Sequence, residues 1–314
     1  MDIYKSVIGG DKRAIARFIS LIEQRSEEAI NLLKKIHSRT GNAIIIGITG
    51  PPGGGKSSIV NQLAKKLRSK NKKVGIIAID PSSPFSGGAL LGDRIRMQEL
   101  TMDEGVFIRS MGTRGALGGL SKASYDSAKV LDASGMDFII IETVGVGQSE
   151  VDIVKLADIV VLVQVPGLGD DVQAIKAGIM EIGDIFVVNK ADKEGAERLV
   201  KEIEMTLDLN PNKNEFRPPV IKTVATTGEG IDDLFVNITR VWEHFVKFDI
   251  IRKRRLARAK QELIDIVKEN YFDDFFQRYS EKIQDMAEQI YQRKMDPYSA
   301  SEIIIQDIRK VFFN

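Results

Sequence analysis

The chain has 314 residues, of which 43% are hydrophobic and 28% are charged, and its formal net charge at pH 7 is +1. This composition is ordinary for a globular protein, and the balanced charge gives no global field that favours nucleic acid or a membrane surface. Because the sequence has no cysteine and only 2 histidines, it excludes a disulfide framework and any cysteine-based metal site.

The N-terminal stretch predicts no targeting segment. Charges are scattered through residues 1–19, which lack the apolar core of a secretory signal. No apolar run approaches the ~20 residues that a membrane-spanning helix needs. We therefore expect a cytoplasmic protein, at 314 residues long enough to bury a full core.

Residues 1–40 predict an N-terminal helical extension. Apolar residues recur at helical spacing at Ile15, Phe18, Ile19, Ile22, Ile30, Leu33 and Ile36. The pair Gly41-Asn42 ends this segment, because glycine and asparagine commonly close helices.

Seven short apolar runs follow, and helical patterns separate most of them. They span residues 43–48, 74–79, 106–108, 138–141, 159–163, 185–188 and 219–223. Buried strands that alternate with helices predict right-handed crossovers and a mostly parallel sheet covered on both faces. We therefore expect a three-layer α/β sandwich over residues 41–246.

Residues 247–314 predict a C-terminal helical arm. Apolar residues that fit one helix face are Ile250, Ile251, Leu256, Leu263 and Ile266, and Pro297 marks a break before a last helix at 299–312. A basic run comprises Arg252, Lys253, Arg254, Arg255, Arg258 and Lys260. Such a run could indicate nucleic-acid binding, but the acidic residues that follow it favour a solvated helix face.

The segment Gly50-Pro-Pro-Gly-Gly-Gly-Lys56-Ser57 predicts a phosphate-binding loop (P-loop), because it has the required pattern between a predicted strand and a predicted helix. The residues expected at the phosphates are Gly53, Gly54, Gly55, Lys56, Ser57 and Ser58, where loop amides and the helix N-terminus attract anions. Lys56 should reach the β- and γ-phosphates, and Ser57 should place its hydroxyl on Mg²⁺. The alternative is a glycine-rich turn without a ligand.

Three carboxylates are candidate magnesium ligands, since Mg²⁺ prefers hard oxygen donors. Asp80 follows the strand 74–79, Asp93 lies in a glycine-rich loop, and Glu142 follows the strand 138–141. As alternatives, Asp80 could cap its loop, Asp93 could cap a helix, and Glu142 could be an exposed acid at a strand end. Ras-like GTPases have Asp-x-x-Gly where this chain has Glu142 to Gly145. The longer carboxylate can still hold Mg²⁺ through a water, and the Gly145 amide can meet the γ-phosphate.

The group that orients the attacking water is left open by the sequence. Ras-type enzymes carry a glutamine directly after the switch glycine, whereas Gln148 lies three residues beyond Gly145. Gln148 is therefore a catalytic candidate whose alternative is a structural loop role. Asp80, Asp93 or a residue of a partner could hold the water instead.

The tetrapeptide Asn189-Lys190-Ala191-Asp192 after a predicted strand indicates guanine recognition. Asp192 can accept hydrogen bonds from guanine N1–H and the exocyclic amine, and adenine has neither donor. Asn189 would pin the loop, and the stem of Lys190 can lie along the base. The backbone of residues Val224, Ala225 and Thr226 is a candidate contact to guanine O6. The alternative is a polar strand-to-helix turn.

Several motifs together resemble the methylmalonyl-CoA mutase-associated GTPases (the MeaB/ArgK family) over roughly residues 10–260. They are the phosphate loop, Asn189-Lys-Ala-Asp192, and the segments 80–83, 87–97, 114–119, 142–150 and 166–173, of which Glu142-Thr-Val-Gly-Val-Gly-Gln-Ser-Glu150 is the sharpest. The C-terminal arm agrees only in its helical character.

This resemblance implies a P-loop NTPase fold and a Mg²⁺-dependent GTPase of the SIMIBI class. Such proteins are chaperones that gate adenosylcobalamin loading of acyl-CoA mutases and protect them from inactivation, and they are usually homodimers built through C-terminal helices. Residues 166–176 resemble an additional switch loop. The residues carried over are Lys56, Ser57, Asp80, Asp93, Glu142, Asn189 and Asp192.

The sequence leaves two alternative functions, a metal-insertion GTPase and a kinase. A metal-insertion GTPase of the nickel-chaperone type needs cysteine or histidine ligands, and the chain has no cysteine and only His37 and His244. A kinase that phosphorylates a protein acceptor is an older label within the family, but no acceptor pocket or second catalytic base is visible in the sequence.

Overall fold

The computed structural model describes residues 2–80, 98–112, 122–143, 149–167, 179–209 and 216–312. The chain divides into two compact units, Met1–Arg255 and Leu256–Asn314. Nucleotide-binding motifs predicted from the sequence all fall in the first unit, so its sheet and helices determine the site.

Within the described residues, seven strands form one parallel sheet in the order β3-β2-β4-β1-β5-β6-β7. The strands are β1 (Ile44–Thr49), β2 (Val74–Asp80), β3 (Val106–Gly112), β4 (Phe138–Glu142), β5 (Ile159–Gln164), β6 (Ile185–Asn189) and β7 (Val220–Thr223). Their near-continuous aliphatic sequences are those expected of parallel strands covered on both faces. The predicted α/β fold with a mostly parallel sheet is confirmed.

Helices cover both faces of this sheet. They are α1 (Ile3–Ile8), α2 (Lys12–Glu23), α3 (Glu27–Ile36), α4 (Lys56–Ser69), α5 (Gln98–Thr101), α6 (Lys122–Ala133), α7 (Ser149–Leu156), α8 (Ala196–Asp208) and α9 (Ile231–Lys247), with short 3₁₀ turns at His37–Arg39 and Ile179–Glu181. On β1, Ile45 packs into one buried cluster with α2, α3 and α6, whereas Ile46 packs into another with α4 and α9. This alternation of side chains makes the three layers.

The N-terminal helices form part of the layer on one face of the sheet. Asp11 caps α2 by accepting from the Ala14 amide at 2.7 Å, and Ser26 caps α3 by accepting from the Ala29 amide at 3.2 Å. Phe18 is completely buried, and burying such a side chain contributes about 2 to 3 kcal/mol. On α3 the buried positions include Ala29 rather than Ile30, which is half exposed, so the apolar face is rotated from the predicted one.

Strand order brings the motifs to one edge of the sheet. All seven strands run the same way, so their carboxyl ends share an edge, and β1 lies between β4 and β5 where the order reverses. Ligands of open α/β sheets bind at such a reversal. The phosphate loop follows β1, Glu142 ends β4, and Asn189 ends β6.

Two arginines of the basic run are only partly exposed and pair with buried carboxylates, so the predicted solvated face does not describe them. Arg254 and Arg255 lie at the start of α10 (Ile250–Tyr291). Arg254 donates to both carboxylate oxygens of Asp184 at 2.7 and 2.8 Å, and Arg255 donates to Asp158 at 2.7 and 3.1 Å. Both carboxylates are buried. Burial by itself lowers the pKa of each guanidinium, but hydrogen bonding and the carboxylate charge outweigh it and leave the pKa raised.

The same arginines contact backbone carbonyls at the amino-terminal edge of the sheet. Arg255 donates to the carbonyls of Gly41 at 2.6 Å and Ala43 at 2.9 Å, and Arg254 donates to that of Asp158 at 2.8 Å. These contacts anchor the first turn of α10 opposite the edge that carries the nucleotide motifs. The exposed Arg252 and Lys253 keep the solvated character that the sequence indicates.

The second unit contains the rest of α10 and the last helix, α11 (Pro297–Phe312). Lys282 on α10 forms an ion pair with Asp307 on α11. Four apolar side chains at spacings of seven, four and four residues remain exposed on α10: Leu256, Leu263, Val267 and Tyr271. We call this set the α10 stripe. In the described part of the chain, no helix is both long and apolar enough to cross a membrane.

Candidate nucleotide-binding site

The phosphate loop connects β1 to α4 and depends on glycine at two tight positions. Gly50 has φ +139°, and a Cβ there would overlap the carbonyl oxygen of Val163. Gly55 has φ +84°, and a Cβ there would overlap the side-chain nitrogen of Asn189. Since this backbone region is costly for residues with a Cβ, both positions require glycine for conformation and for space.

Gly55→Ala is expected to lower the free energy of unfolding more than Gly53→Ala. Both glycines have positive φ, which costs an alanine about 1 to 2 kcal/mol. A Cβ at Gly53 meets no protein atom within 4 Å, whereas one at Gly55 displaces Asn189 from its buried hydrogen bonds and adds about 1 to 3 kcal/mol. Urea unfolding without nucleotide measures both variants. Equal losses would show that the contact with Asn189 is unimportant.

The start of α4 provides the positive end of the site. Its N-cap is Gly55, so the first turn has no side-chain cap on its amides. Lys56 is buried, and its ammonium donates to the carbonyls of Gly50 at 2.8 Å and Pro51 at 2.9 Å. Helix amides without a side-chain cap, beside a buried ammonium, favour a bound phosphate chain.

Ser57 and Glu142 meet beside this loop. The Ser57 hydroxyl donates to Glu142 Oε1 at 2.6 Å, and Glu142 is buried at the end of β4, next to Ile48 of β1. A hydroxyl and a carboxylate oxygen in contact are the hard donors that Mg²⁺ prefers. The side chains present therefore fit the metal that the sequence predicts here.

A buried threonine pair supports this corner and was missed by the sequence analysis. Thr143 donates its hydroxyl to that of Thr49 at 2.8 Å, and its amide donates to the Ile48 carbonyl at 3.1 Å. These bonds hold the residue after Glu142 against the end of β1. The available signal was slight: Thr49 directly follows the predicted strand 43–48, and Thr143 directly follows Glu142.

Other predicted residues of the metal end are only partly described. Asp80 ends β2, two positions beyond the residue that pairs with Glu142, and its side chain lies outside the part of the chain that the structure describes. The predicted residues Asp93, Gly145 and Gln148 lie outside the described residues. Among the side chains that are described, no three His, Cys, Asp or Glu residues converge as a metal site.

Asn189 links the phosphate loop to the end of β7 and the loop that follows it. It is buried at the end of β6, and its side-chain amide donates to the Gly54 carbonyl at 2.8 Å. Its side-chain oxygen accepts from the Thr223 hydroxyl and from the Ala225 amide, both at 3.1 Å. One side chain therefore sets the distance between the loop after β1 and the loop after β7.

Lys190 and Asp192 follow on the surface. Lys190 has φ +57°, and its ammonium donates to the Gly53 carbonyl at 2.8 Å. The Ala191 amide donates to the Thr223 carbonyl at 3.0 Å, which holds the turn against β7. Asp192 is exposed beyond this turn, so its carboxylate is accessible to a purine.

The loop after β7 is a compact turn. The Val224 amide donates to the Glu229 carbonyl at 3.0 Å, and the Val224 carbonyl accepts from the amides of Thr227 and Gly228 at 3.1 and 2.9 Å. Ala225 is buried, while Thr226 is exposed. Gln62 of α4, which the sequence analysis did not name, donates to the Ala225 carbonyl at 3.2 Å.

Comparison with known families gives one match that covers most of the chain. The sequence model of the family described as "Methylmalonyl Co-A mutase-associated GTPase MeaB" matches residues 15–280. A Pyrococcus abyssi protein named as a GTPase is 52% identical over 95% of this chain and 94% of its own length. The Escherichia coli protein named GTPase ArgK is 34% identical over 81% of this chain and 77% of its own.

Two further similarities extend over nearly the whole chain. The mouse protein named methylmalonic aciduria type A homolog, mitochondrial, is 31% identical over 97% of this chain and 78% of its own length. A crystal structure described as a LAO/AO transport system kinase superposes with a TM-score of 0.74 at 24% identity, covering 98% of this chain and 97% of that one. This structural likeness establishes the fold and leaves the activity to other arguments.

Proposed function

The chain belongs to the MeaB family of methylmalonyl-CoA mutase-associated GTPases. We propose that it is a GTP-driven chaperone of an adenosylcobalamin-dependent acyl-CoA mutase. Its activity is that of a GTPase. The observation that carries the proposal is the match to a family described by its association with methylmalonyl-CoA mutase over residues 15–280. That enzyme is accordingly our first choice of partner.

The phosphate end of the proposed site uses charge and position. The amides of Gly53, Gly54, Gly55, Lys56, Ser57 and Ser58 would contact phosphate oxygens at the N-terminus of α4. The ammonium of Lys56 already lies within hydrogen-bond distance of two loop carbonyls, and it would exchange them for β- and γ-phosphate oxygens. Attack of water on the γ-phosphate then needs little covalent help from the protein, because positioning and charge neutralisation supply most of the catalysis.

The metal end is proposed on the side chains of Ser57 and Glu142, with Asp80 and Asp93 as further ligands. Mg²⁺ would neutralise charge on the β- and γ-phosphates when bound. Ser57 would hold it through its hydroxyl and Glu142 through a water, which agrees with their mutual hydrogen bond of 2.6 Å. Gln148 remains a proposed water-orienting residue.

The base end is proposed around Asn189, Lys190 and Asp192. The exposed carboxylate of Asp192 would accept from guanine N1–H and the exocyclic amine, and the stem of Lys190 would lie along the base. The backbone of Val224, Ala225 and Thr226 would face O6, with the Thr226 amide as the donor, because the amides of Val224 and Ala225 already donate to the Glu229 carbonyl and to Asn189. The hydrogen bonds of Asn189 to Gly54 and Ala225 support this arrangement, since they connect the two loops that would hold the phosphates and the base.

A homodimer through the C-terminal helices is part of the proposal. The α10 stripe supports it, because Leu256, Leu263, Val267 and Tyr271 form one apolar face on a charged helix and remain exposed in the single chain. Helices normally bury such a face against another element. Residues 166–176 and the segment after Glu142 are proposed as the switches that report nucleotide state to the mutase.

The test is a binding and turnover experiment with purified methylmalonyl-CoA mutase. We expect a complex whose stability differs between GDP and a non-hydrolysable GTP analogue, and a GTPase rate that the mutase changes. All of the labelled γ-phosphate should appear as free phosphate. No complex in either nucleotide state and no change in rate would contradict the chaperone role, and label retained on protein would indicate a kinase instead.

A further inference from the structure

Side chains from two different elements hold the backbone of Ala225. Its amide donates to the side-chain oxygen of Asn189 at 3.1 Å, and its carbonyl accepts from Nε2 of Gln62 at 3.2 Å. Ala225 itself is buried. Val224, in contrast, uses its amide and its carbonyl for the backbone bonds that close the turn with Thr227, Gly228 and Glu229. The turn therefore fixes its own shape, while Asn189 and Gln62 fix its position.

Gln62 occupies a place that links this turn to the phosphate loop. It lies on α4, which begins at Lys56, and its carboxamide is within 4 Å of the Cβ position of Gly228. The carboxamide thus lies against two residues of the turn. Since α4 also presents its N-terminus to the phosphates, one rigid helix can set the position of both the phosphate loop and the turn after β7.

The direction of the Ala225 carbonyl determines the direction of the next amide. A trans peptide is planar, and its C=O and N–H point to opposite sides. When Gln62 holds the Ala225 carbonyl toward α4, the Thr226 amide must point away from α4. An amide held in this way is a preorganised donor for an acceptor such as a purine carbonyl, and a preorganised donor loses less entropy on binding.

We propose that Gln62 is a positioning residue for guanine recognition: its bond to the Ala225 carbonyl aligns the Thr226 amide with guanine O6. The inference rests on the proposed placement of guanine beside Asn189 and Asp192. Gln62 acts through Ala225 and does not touch the nucleotide. Removing it therefore weakens the recognition of O6 and leaves recognition of N1–H and the exocyclic amine to Asp192.

The test compares Gln62→Leu with the unmodified protein on three diphosphates. Calorimetric titrations use GDP, inosine diphosphate, which lacks the exocyclic amine, and 6-thio-GDP, which has a poor acceptor in place of O6. Loss of one neutral hydrogen bond should weaken GDP and inosine diphosphate alike, by about three- to tenfold. Binding of 6-thio-GDP should change less than about twofold, because its sulfur atom is a poor acceptor and forms only a weak hydrogen bond with the Thr226 amide.

Controls separate a positioning effect from a general loss of structure. Lys66→Ala removes the contact of Lys66 with Asp232 at 2.6 Å, another link from α4 to the segment after the same turn, and it should leave all three affinities unchanged. Gln62→Glu, which keeps the shape but loses the donor, should repeat the effect of Gln62→Leu if the leucine variant folds poorly. Melting temperatures without nucleotide should match within about 4 °C, the shift that the loss of one neutral hydrogen bond produces in a protein of this size.

Equal weakening of all three diphosphates, or no weakening of GDP, would overturn the role of Gln62. Failure of the proposed site gives a different result, because the unmodified protein would then bind ADP as tightly as GDP. The two failures are read from different titrations and cannot be confused.

Discussion

Lys56→Ala is expected to lower the rate of GTP hydrolysis by about 10²- to 10³-fold, the typical cost of removing one preorganised donor from a developing phosphoryl charge. The ammonium of Lys56 is buried beside two loop carbonyls at 2.8 and 2.9 Å. Phosphate release at saturating GTP measures the loss, and GDP affinity should fall as well.

The matched control for this prediction is Lys65→Ala. Lys65 is on the same helix but is partly exposed and pairs with Glu99 at the surface, where an ion pair contributes little. Its removal should change the hydrolysis rate by less than about twofold and leave stability almost unchanged. If Lys56→Ala kept a rate within threefold of the unmodified protein, the phosphate loop would not be the catalytic site.

Asp192→Asn is expected to weaken GTP binding by about 10²-fold or more, because two hydrogen bonds to a carboxylate contribute about 1.5 to 3 kcal/mol each. The substitution should at the same time improve binding of xanthosine triphosphate. Xanthine has a carbonyl in place of the exocyclic amine, and the new amide can donate to it, whereas a carboxylate repels it. Because Asp192 is exposed, the change should leave the fold intact.

Competition between GTP, xanthosine triphosphate and ATP for a fluorescent guanine nucleotide measures this exchange of specificity. Asp233→Asn is a suitable control, since Asp233 lies in the first turn of α9 and carries the same charge. It should leave the order of affinities unchanged. A GTP affinity that is insensitive to Asp192→Asn would show that another group reads the purine.

Coupling between the two ends of the site is the main structural result for function. Asn189, Lys190 and Gln62 connect loops that lie far apart in the sequence, and each makes a direct hydrogen bond to a backbone carbonyl. A nucleotide that shifts the phosphate loop would therefore also shift the loop after β7. We expect the affinities for the base and for the phosphates to be strongly non-additive, as is usual for residues in one network.

Much of the fold could be read from local pattern. Runs such as Ile44–Thr49 are aliphatic throughout, which indicates a strand buried on both faces. The phosphate loop and Asn189-Lys190-Ala191-Asp192 were recognisable because each motif needs particular residue types at fixed spacing after a strand. Local pattern does not contain the order of strands, because burial makes the sequences of all seven alike.

Contacts between segments that are distant in the sequence determined the features that the local pattern did not predict. The basic run at Arg252 looked solvated because charge pattern is a property of one helix, but Arg254 and Arg255 find buried Asp184 and Asp158 on the sheet. Gln62 was not predicted for the same reason, since a single glutamine has no pattern, and the Thr49–Thr143 pair left no more signal than a threonine near the end of each of two predicted strands.

From the sequence alone, residue types at short spacings identified the kind of site, a nucleotide site. Such motifs can be recognised without the fold, because the conformational freedom and hydrogen-bonding groups of each residue are local properties. The tertiary structure was needed to show which residues these side chains contact, because the order of the strands determines which strand ends lie side by side at one edge of the sheet. That arrangement depends on the packing of the two apolar faces of the sheet and on the pairing of buried charges. Both are free-energy contributions from residues distant in the sequence, so no short segment determines them.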